Sequence, residues 1–276
     1  MLDALSPTIT LNDGHTMPQL GLGVYKTTDA EATHAVSFAL QHGYRLVDTA
    51  AMYLNERGVG DGVRASGLAR DEVFVTTKVW FTDNGYDSTL RSFDESLDRL
   101  GFDYVDLYMI HWPAPRNDKY VDTWRALERL RDEGRARSIG VANFHAKHLE
   151  RLLGETDVVP AVNQVELHPW LPQTELTVFD RSHGILTQDW SPLARGHVLD
   201  SGPLAALAAK HGKSPAQVVL RWHVQRGNAV IPKSVTPERI EQNIDVFDFE
   251  LDADDLAVIA SLESGERTGV DPDDRN

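Results

Sequence analysis

Hydrophobic and polar positions along this chain alternate between two periods. Short β-rich runs fall at residues 21–24, 45–48, 73–78, 105–110, 138–141, 161–166, 185–189 and 229–231. Helical patterns separate most of them, at 30–41, 87–100, 121–132, 146–153, 175–183, 215–225 and 237–246. In the second of these, Leu90, Phe93, Leu97 and Leu100 form the stripe of a helix lying on a sheet, with Asp87 or Ser88 as the expected N-cap. Before the first run, residues 8–11 and 17–20 flank the turn signal Asn12-Asp13-Gly14 and predict a hairpin. Stretches 203–211 and 252–262 read as two extra helices, and 264–276 as an acidic tail that is either mobile or a lid. Eight strand–helix units without a linker predict an α/β fold, one (β/α)₈ barrel of the TIM type spanning 1–276; a doubly wound open sheet is the runner-up.

The barrel prediction locates a site, because such barrels work at the C-terminal ends of their strands. Asp48, Lys78, His111, Asn143, Gln164, Trp190 and Lys233 all fall at or just past strand ends. The net charge of −15 argues against nucleic acid or an anionic membrane as main partner. It leaves room for a small anionic ligand opposite a local basic cluster. The absence of cysteine excludes disulfides and thiolate metal sites. The opening residues 1–7 lack the basic and apolar regions of a signal peptide, and no run approaches a membrane span, so a cytoplasmic protein is expected.

The segment from Ile231 to Ile240 sets Lys233, Ser234, Thr236 and Arg239 around a strand-to-helix turn, a combination suited to a phosphate monoester. Upstream, Asp48, Tyr53, Lys78 and His111 read as proton-transfer groups. A phenol is a poor acid near neutrality, an adjacent ammonium makes it a better one, and a carboxylate holds that ammonium charged. His111 is suited to bonding a substrate oxygen or relaying a proton. Taken singly, each also reads as an ordinary loop or packing residue. Other readings compete. Asp48, Glu166 and Asp189 suggest a glycosidase pair but leave the phosphate grip unexplained. Lys78 suits a Schiff base. His145 and His148 have metal-like spacing without a third ligand, and a solvated helix face is the preferred reading. Neither Gly58-Val59-Gly60-Asp61-Gly62 nor Gly21-Leu22-Gly23 completes a dinucleotide fingerprint.

Six segments together resemble the aldo–keto reductase family: 43–56 around Asp48 and Tyr53, Thr76-Thr77-Lys78, Ile110-His111-Trp112-Pro113, 140–144 ending Ala142-Asn143-Phe144, 163–169 from Asn163-Gln164 to Pro169, and 231–240. They occur in the family's order from Thr8 to about Arg267, and Trp190-Ser191-Pro192-Leu193 with the overall length resembles the bacterial 2,5-diketo-gluconate reductase branch. The resemblance implies NADPH bound without a Rossmann domain and a small carbonyl substrate: an aldehyde, α-dicarbonyl or keto-sugar. It implies Tyr53 as general acid, Lys78 lowering its pKa while paired with Asp48, and His111 orienting the carbonyl. Asn143 and Gln164 would hold the nicotinamide carboxamide, and Trp190 would stack on its ring, with Ser191 and Leu193 beside it. Lys233, Ser234 and Arg239 would grip the 2′-phosphate, with Val235, Thr236, Gln242 and Asn243 around the adenosine. Tyr25, Trp80 and Trp112 would wall the substrate pocket beside His111. No metal is implied, and the family leans monomeric. Trp190, Ala142, Leu54 and Gln242 stand where the family more often has tyrosine, serine, glycine and glutamate.

Overall fold

The structure, a computed structural model, describes residues 6–276; the first five residues of the N-terminal reading lie outside it. A hairpin, β1 (Thr8–Thr10) and β2 (Thr16–Pro18), precedes the barrel. The barrel then runs β3 (Leu22–Gly23), α1 (Asp29–Gln41), β4 (Leu46–Asp48), α2 (Glu56–Ser66), β5 (Phe74–Val79), α3 (Tyr86–Leu100), β6 (Val105–Ile110) and α4 (Tyr120–Asp132). It continues through β7 (Ala136–Ala142), α5 (Ala146–Glu155), β8 (Val162–Glu166), α6 (Thr174–Ser182), β9 (Leu186–Trp190), α7 (Gly202–His211), α8 (Pro215–Gln225), β10 (Ala229–Val230), α9 (Pro237–Ile244) and α10 (Ala253–Ala260). β3 to β10 pair in sequence order, all parallel. Parallel bridges Leu20↔Val230 and Gly23↔Lys233 join the first strand to the last, so the sheet closes as expected.

Alternation along each strand divides the apolar side chains into two layers. Leu46, Leu107, Met109, Val162 and Ala229 fill the barrel interior, with Leu11 and Met17 of the hairpin region in the same cluster. Tyr108, Ile110 and Val141 belong to the larger cluster between sheet and helices, where Trp124, Leu127 and Phe144 are fully buried. The hairpin end also carries a cleft of about 420 Å³ lined by His15, Arg45, Asp106 and Arg137. It lies on the N-terminal side of the strands, away from their C-terminal rim.

Two elements differ from the sequence reading. Residues 56–66 form a helix that periodicity did not reveal, because three of its positions are glycine. A methyl group on Gly58 would stand 2.2 Å from the Asp29 carbonyl oxygen, one on Gly60 1.9 Å from that of Leu100, and one on Gly62 2.7 Å from Val36 Cβ. These glycines let α2 pack closely against α1 and the end of α3, so they are not loop formers. The second difference is at α3, which starts one turn-residue earlier than expected, with Gly85 at φ 123 as N-cap in place of Asp87 or Ser88. No helix among the described residues is long and apolar enough to cross a membrane.

Candidate active site

The C-terminal rim brings together groups that are far apart in sequence. Lys78, from the end of β5, is fully buried; its Nζ donates to Asp48 Oδ1 at 2.6 Å and to the Thr49 carbonyl at 2.9 Å. Gln164, from β8, reaches across the interior and donates through Nε2 to Asp48 Oδ2 and to Gln188 Oε1, both at 2.7 Å. Burial pushes Asp48 up and Lys78 down, toward their neutral forms, while each opposes the shift of the other. The bonds decide for the ionised pair: both carboxylate oxygens accept, and the ammonium has a second acceptor.

Tyr53 follows β4 on a single 3₁₀ turn, Ala51–Tyr53. The Lys78 ammonium lies 5.3 Å from its ring centre, Tyr25 packs on it at 4.9 Å, and His111 meets it edge-on at 5.6 Å. Burial, then Asp48, then Tyr25 push the phenol well above its ordinary value. This direction differs from the expected one. With Lys78 committed to Asp48, its charge does not offset the loss of water around the phenol. Tyr53 therefore holds its proton firmly in the resting protein. His111 moves the opposite way: burial, Lys78 and Arg275 push it well below its ordinary value, so it is a neutral imidazole at pH 7, with Nδ1 unpartnered. It can donate a hydrogen bond to a carbonyl oxygen but is no reservoir of protons.

Trp80 packs edge-on against His111 at 5.0 Å, and the Trp112 ring lies 6.4 Å from it; with Tyr25 on Tyr53 these rings wall the same mouth. Leu54 adopts φ 58 and is 82 % exposed. It stands out in solvent beside Tyr53, in a left-handed conformation that suits glycine. Asn143, also left-handed at φ 63, donates to the His111 carbonyl and accepts from Trp190 Nε1, both at 2.9 Å. This chain ties together His111, Asn143 and Trp190. Ser191, Ala194 and Arg195 follow with φ of 53, 45 and 57, so the loop containing Leu193 is held in sparsely populated backbone states. At the neighbouring strand end Lys233 and Arg239 are exposed, and among the described residues neither has an acidic partner within ion-pair distance. Ser234 Oγ accepts from the Thr236 amide at 3.1 Å, shaping the turn into α9; Val235, Thr236 and Gln242 are exposed there, and Asn243 is buried.

The competing chemistries lose their residues. Asp189 is fully buried, bonded to His223 Nδ1 at 2.6 Å and to Asn228, and Glu166 is wired to the tail. Lys78 is too enclosed and too well bonded for a Schiff base.

Comparison with known proteins decides the family. The Aldo/keto reductase family matches residues 17–264. The chain is 50% identical to glyoxal reductase of Bacillus subtilis over 275 residues, covering 99% of each protein. It is also 50% identical to methylglyoxal reductase DkgA of Yersinia pestis, covering 98% of this chain and 97% of that one. Among solved structures, a variant of Gox0644 in complex with NADPH superposes with TM-score 0.94 at 48% identity, covering 98% and 99% of the two chains. An aldo-keto reductase of Bombyx mori in complex with NADP gives 0.90 at 38%, covering 98% and 96%.

This chain belongs to the aldo/keto reductase family.

In this aldo/keto reductase the C-terminal segment is part of the rim, which the sequence reading did not resolve. Ser264 and Gly265 bond to the Trp170 carbonyl. Glu166 Oε1 accepts from the Thr268 amide and hydroxyl at 2.6 Å and from the Gly269 amide at 3.0 Å. Burial alone would raise the Glu166 carboxyl; the bonds from His168 and Thr268 outweigh it and bring it below its ordinary value. A methyl group on Gly269 would stand 2.6 Å from Cη2 of Trp190, so the segment passes in close contact with the edge of that indole. Asp271 then pairs with His145 Nε2 at 3.2 Å, and Asp273 with Lys147 and with His148 Nε2 at 3.1 Å. The two histidines therefore meet the tail; His148 is buried, where a solvated face was expected. Ligand atoms of His145, Asp271 and Asp273 lie within 4.8 Å of one another, and they already contact one another, Lys147 and Arg267.

Proposed function

We propose that this protein is an NADPH-dependent reductase of small carbonyl compounds, with Tyr53 as the group that protonates the carbonyl oxygen. The observation that carries the reading is the convergence of Tyr53, the Asp48–Lys78 pair and a neutral His111 on one aromatic-walled mouth. When bound, NADPH supplies the hydride that the protein itself lacks. The fit rests on chemistry present at the rim: two cations without an acidic partner within ion-pair distance and a hydroxyl, at Lys233, Arg239 and Ser234 beside the start of α9, and an indole at Trp190, the last residue of β9. Asn143 has spare hydrogen-bond capacity for a carboxamide on both amide atoms, each of which makes one bond, whereas both N–H groups of Gln164 are committed to Asp48 and Gln188 and only its Oε1 is left to accept.

His111 orients the carbonyl oxygen as a hydrogen-bond donor, and Tyr53 keeps its proton until negative charge develops on that oxygen. At that moment the Lys78 ammonium favours the phenolate left behind, and Asp48 keeps Lys78 charged and in place. Such a general acid contributes about 10²–10⁴ in rate. The names of the glyoxal and methylglyoxal reductases support α-dicarbonyls as substrates here too; keto-sugars extend that class, in keeping with the 2,5-diketo-gluconate reductase resemblance.

The test is Tyr53→Phe, followed by loss of NADPH absorbance with methylglyoxal and by quenching of tryptophan fluorescence on NADPH titration. Turnover should fall at least about a hundredfold while NADPH binding persists. Undiminished turnover would remove Tyr53 from the role.

A further inference from the structure

A buried pair behind the rim, Asp189 and His223, takes no part in the proposed reaction. Alternation along β9 turns Gln188 and Trp190 toward the barrel interior and Asp189 outward, toward α8. Both side chains of the pair are fully buried. Asp189 Oδ2 accepts from His223 Nδ1 at 2.6 Å and from Asn228 at 3.0 Å, and its Oδ1 accepts from Asn228 at 3.1 Å. The other ring nitrogen of His223, Nε2, bonds to the Pro192 carbonyl oxygen at 3.3 Å. A carboxylate and a carbonyl only accept, so both ring nitrogens carry hydrogen and both donate.

Pro192 belongs to the loop that follows Trp190. Ser191, Ala194 and Arg195 hold left-handed conformations there without being glycine, and such a backbone persists only where its surroundings enforce it. Pro192 and Ala194 are buried, while Ser191, Leu193 and Arg195 keep part of their surface open. His223 therefore grips the loop from its inner side. Packing alone does not call for charge at this place. Val218, Val219 and Leu220 of α8 belong to the apolar cluster between sheet and helices, and an apolar pair of similar volume is often as stable as a buried ion pair or more so. What apolar side chains cannot supply is a donor aimed at the Pro192 carbonyl.

We propose that His223, backed by Asp189 and Asn228, is a positioning residue that holds the loop 191–195 in the strained conformation that receives NADPH. The proposal rests on the reading of Trp190, Ser191 and Leu193 as cofactor-binding residues. His223 is enclosed behind the loop and takes no part in the hydride or proton step. It acts through one backbone bond. With the Pro192 carbonyl held, the loop is set before NADPH arrives and need not be ordered during binding. Without that bond the strained residues relax, and bound NADPH leaves faster.

The test is the rate of NADPH dissociation from the full chain, read by stopped-flow recovery of tryptophan fluorescence. A rate constant does not depend on the fraction of active protein, and a purely structural role would lower Tm without moving it. Asp189→Asn keeps the shape and removes the charge; the imidazole then keeps a single hydrogen, and one of its two bonds is lost. Asp189→Asn and His223→Leu should each speed dissociation about tenfold or more. His223→Gln, whose amide can still donate toward Pro192, should recover part of the native slowness. Rates within about twofold of native in both Asp189→Asn and His223→Leu, whatever happens to Tm, would assign the pair to stability alone and overturn the proposal. Equal acceleration in His223→Leu and His223→Gln, or failure of all three variants to fold, would overturn it as well. If NADPH leaves the fluorescence of the native protein unchanged, the failure belongs to the cofactor reading.

Discussion

Replacing Lys78 with Met separates what the buried ion pair does for stability from what it does for chemistry. The side chains of Lys78 and Asp48 are 0 % and 2 % exposed, and the pair spans β5 and β4 inside the barrel. Met fills nearly the same volume but removes both bonds made by Nζ, at 2.6 and 2.9 Å. Asp48 is left with the Gln164 amide as its neutral donor, in a place where burial already pushes its carboxyl upward. Breaking a buried pair from one side costs about 3–5 kcal/mol, or roughly 5–9 °C in Tm at this chain length. The double variant Lys78→Met with Asp48→Asn removes both charges and keeps the shape, so most of that loss should be recovered. Turnover should not be recovered, because the phenolate of Tyr53 would form without a neighbouring cation. Thermal unfolding by circular dichroism and NADPH oxidation with methylglyoxal read the two quantities separately. A double variant as unstable as the single one would show that the pair is not the energetic link. A double variant with native turnover would remove Lys78 from the proton step.

Four further outcomes follow from the same geometry. Lys233→Met with Arg239→Ala should weaken NADPH about a hundredfold or more and NADH only slightly, measured by tryptophan quenching; equal weakening would mean that these cations do not read the extra phosphate. Gly60→Ala should destabilise by about 2–3 kcal/mol despite alanine's better helix propensity, because its methyl group would sit 1.9 Å from the Leu100 carbonyl oxygen; unchanged denaturant midpoints would contradict that packing. Leu54→Gly should be neutral or raise Tm slightly, since φ 58 strains leucine more than glycine, and a clear loss would show that the exposed side chain packs somewhere. Burial chiefly, opposed by Asp273, lowers His148 to about 4, so the folded state binds fewer protons there than the unfolded one between about pH 4 and 6.5. Stability should therefore rise with pH across that window, by about 1–2 kcal/mol after allowance for its partly solvated partner, and His148→Gln should flatten the slope of urea midpoint against pH.

How much of this was legible in the sequence depended on how local the cause was. Strand ends were readable because β-rich runs stop at or just before Asp48, Lys78 and His111, and the structure brings those residues together with Gln164, from the middle of β8. The segment 56–66 was not readable. A run of Gly58, Gly60 and Gly62 looks like a flexible loop, and what makes it a helix is the approach of Asp29, Val36 and Leu100 from two other elements. The protonation of Tyr53 was only half readable. The neighbours were correctly named, but their net effect turns on burial and on Lys78 being committed to Asp48, and neither is visible in a motif.

The tail shows why the remainder escaped. Residues 264–276 have no hydrophobic period, so no local rule assigns them a conformation; their acidic composition reads as a solvated end. Their order comes from partners more than a hundred positions away: Glu166 for Thr268 and Gly269, and His145, Lys147 and His148 for Asp271 and Asp273. Those same partners sit on the β8 end and on α5, elements whose positions the barrel fixes independently of the tail. The tail thus adds little to the fold but closes one side of a mouth the fold has already made. Its residues are free to differ in chemistry without cost to the barrel. Arg275, on this segment, stands beside the Trp80 and Trp112 rings and makes none of the bonds that hold Lys78 and Asp48.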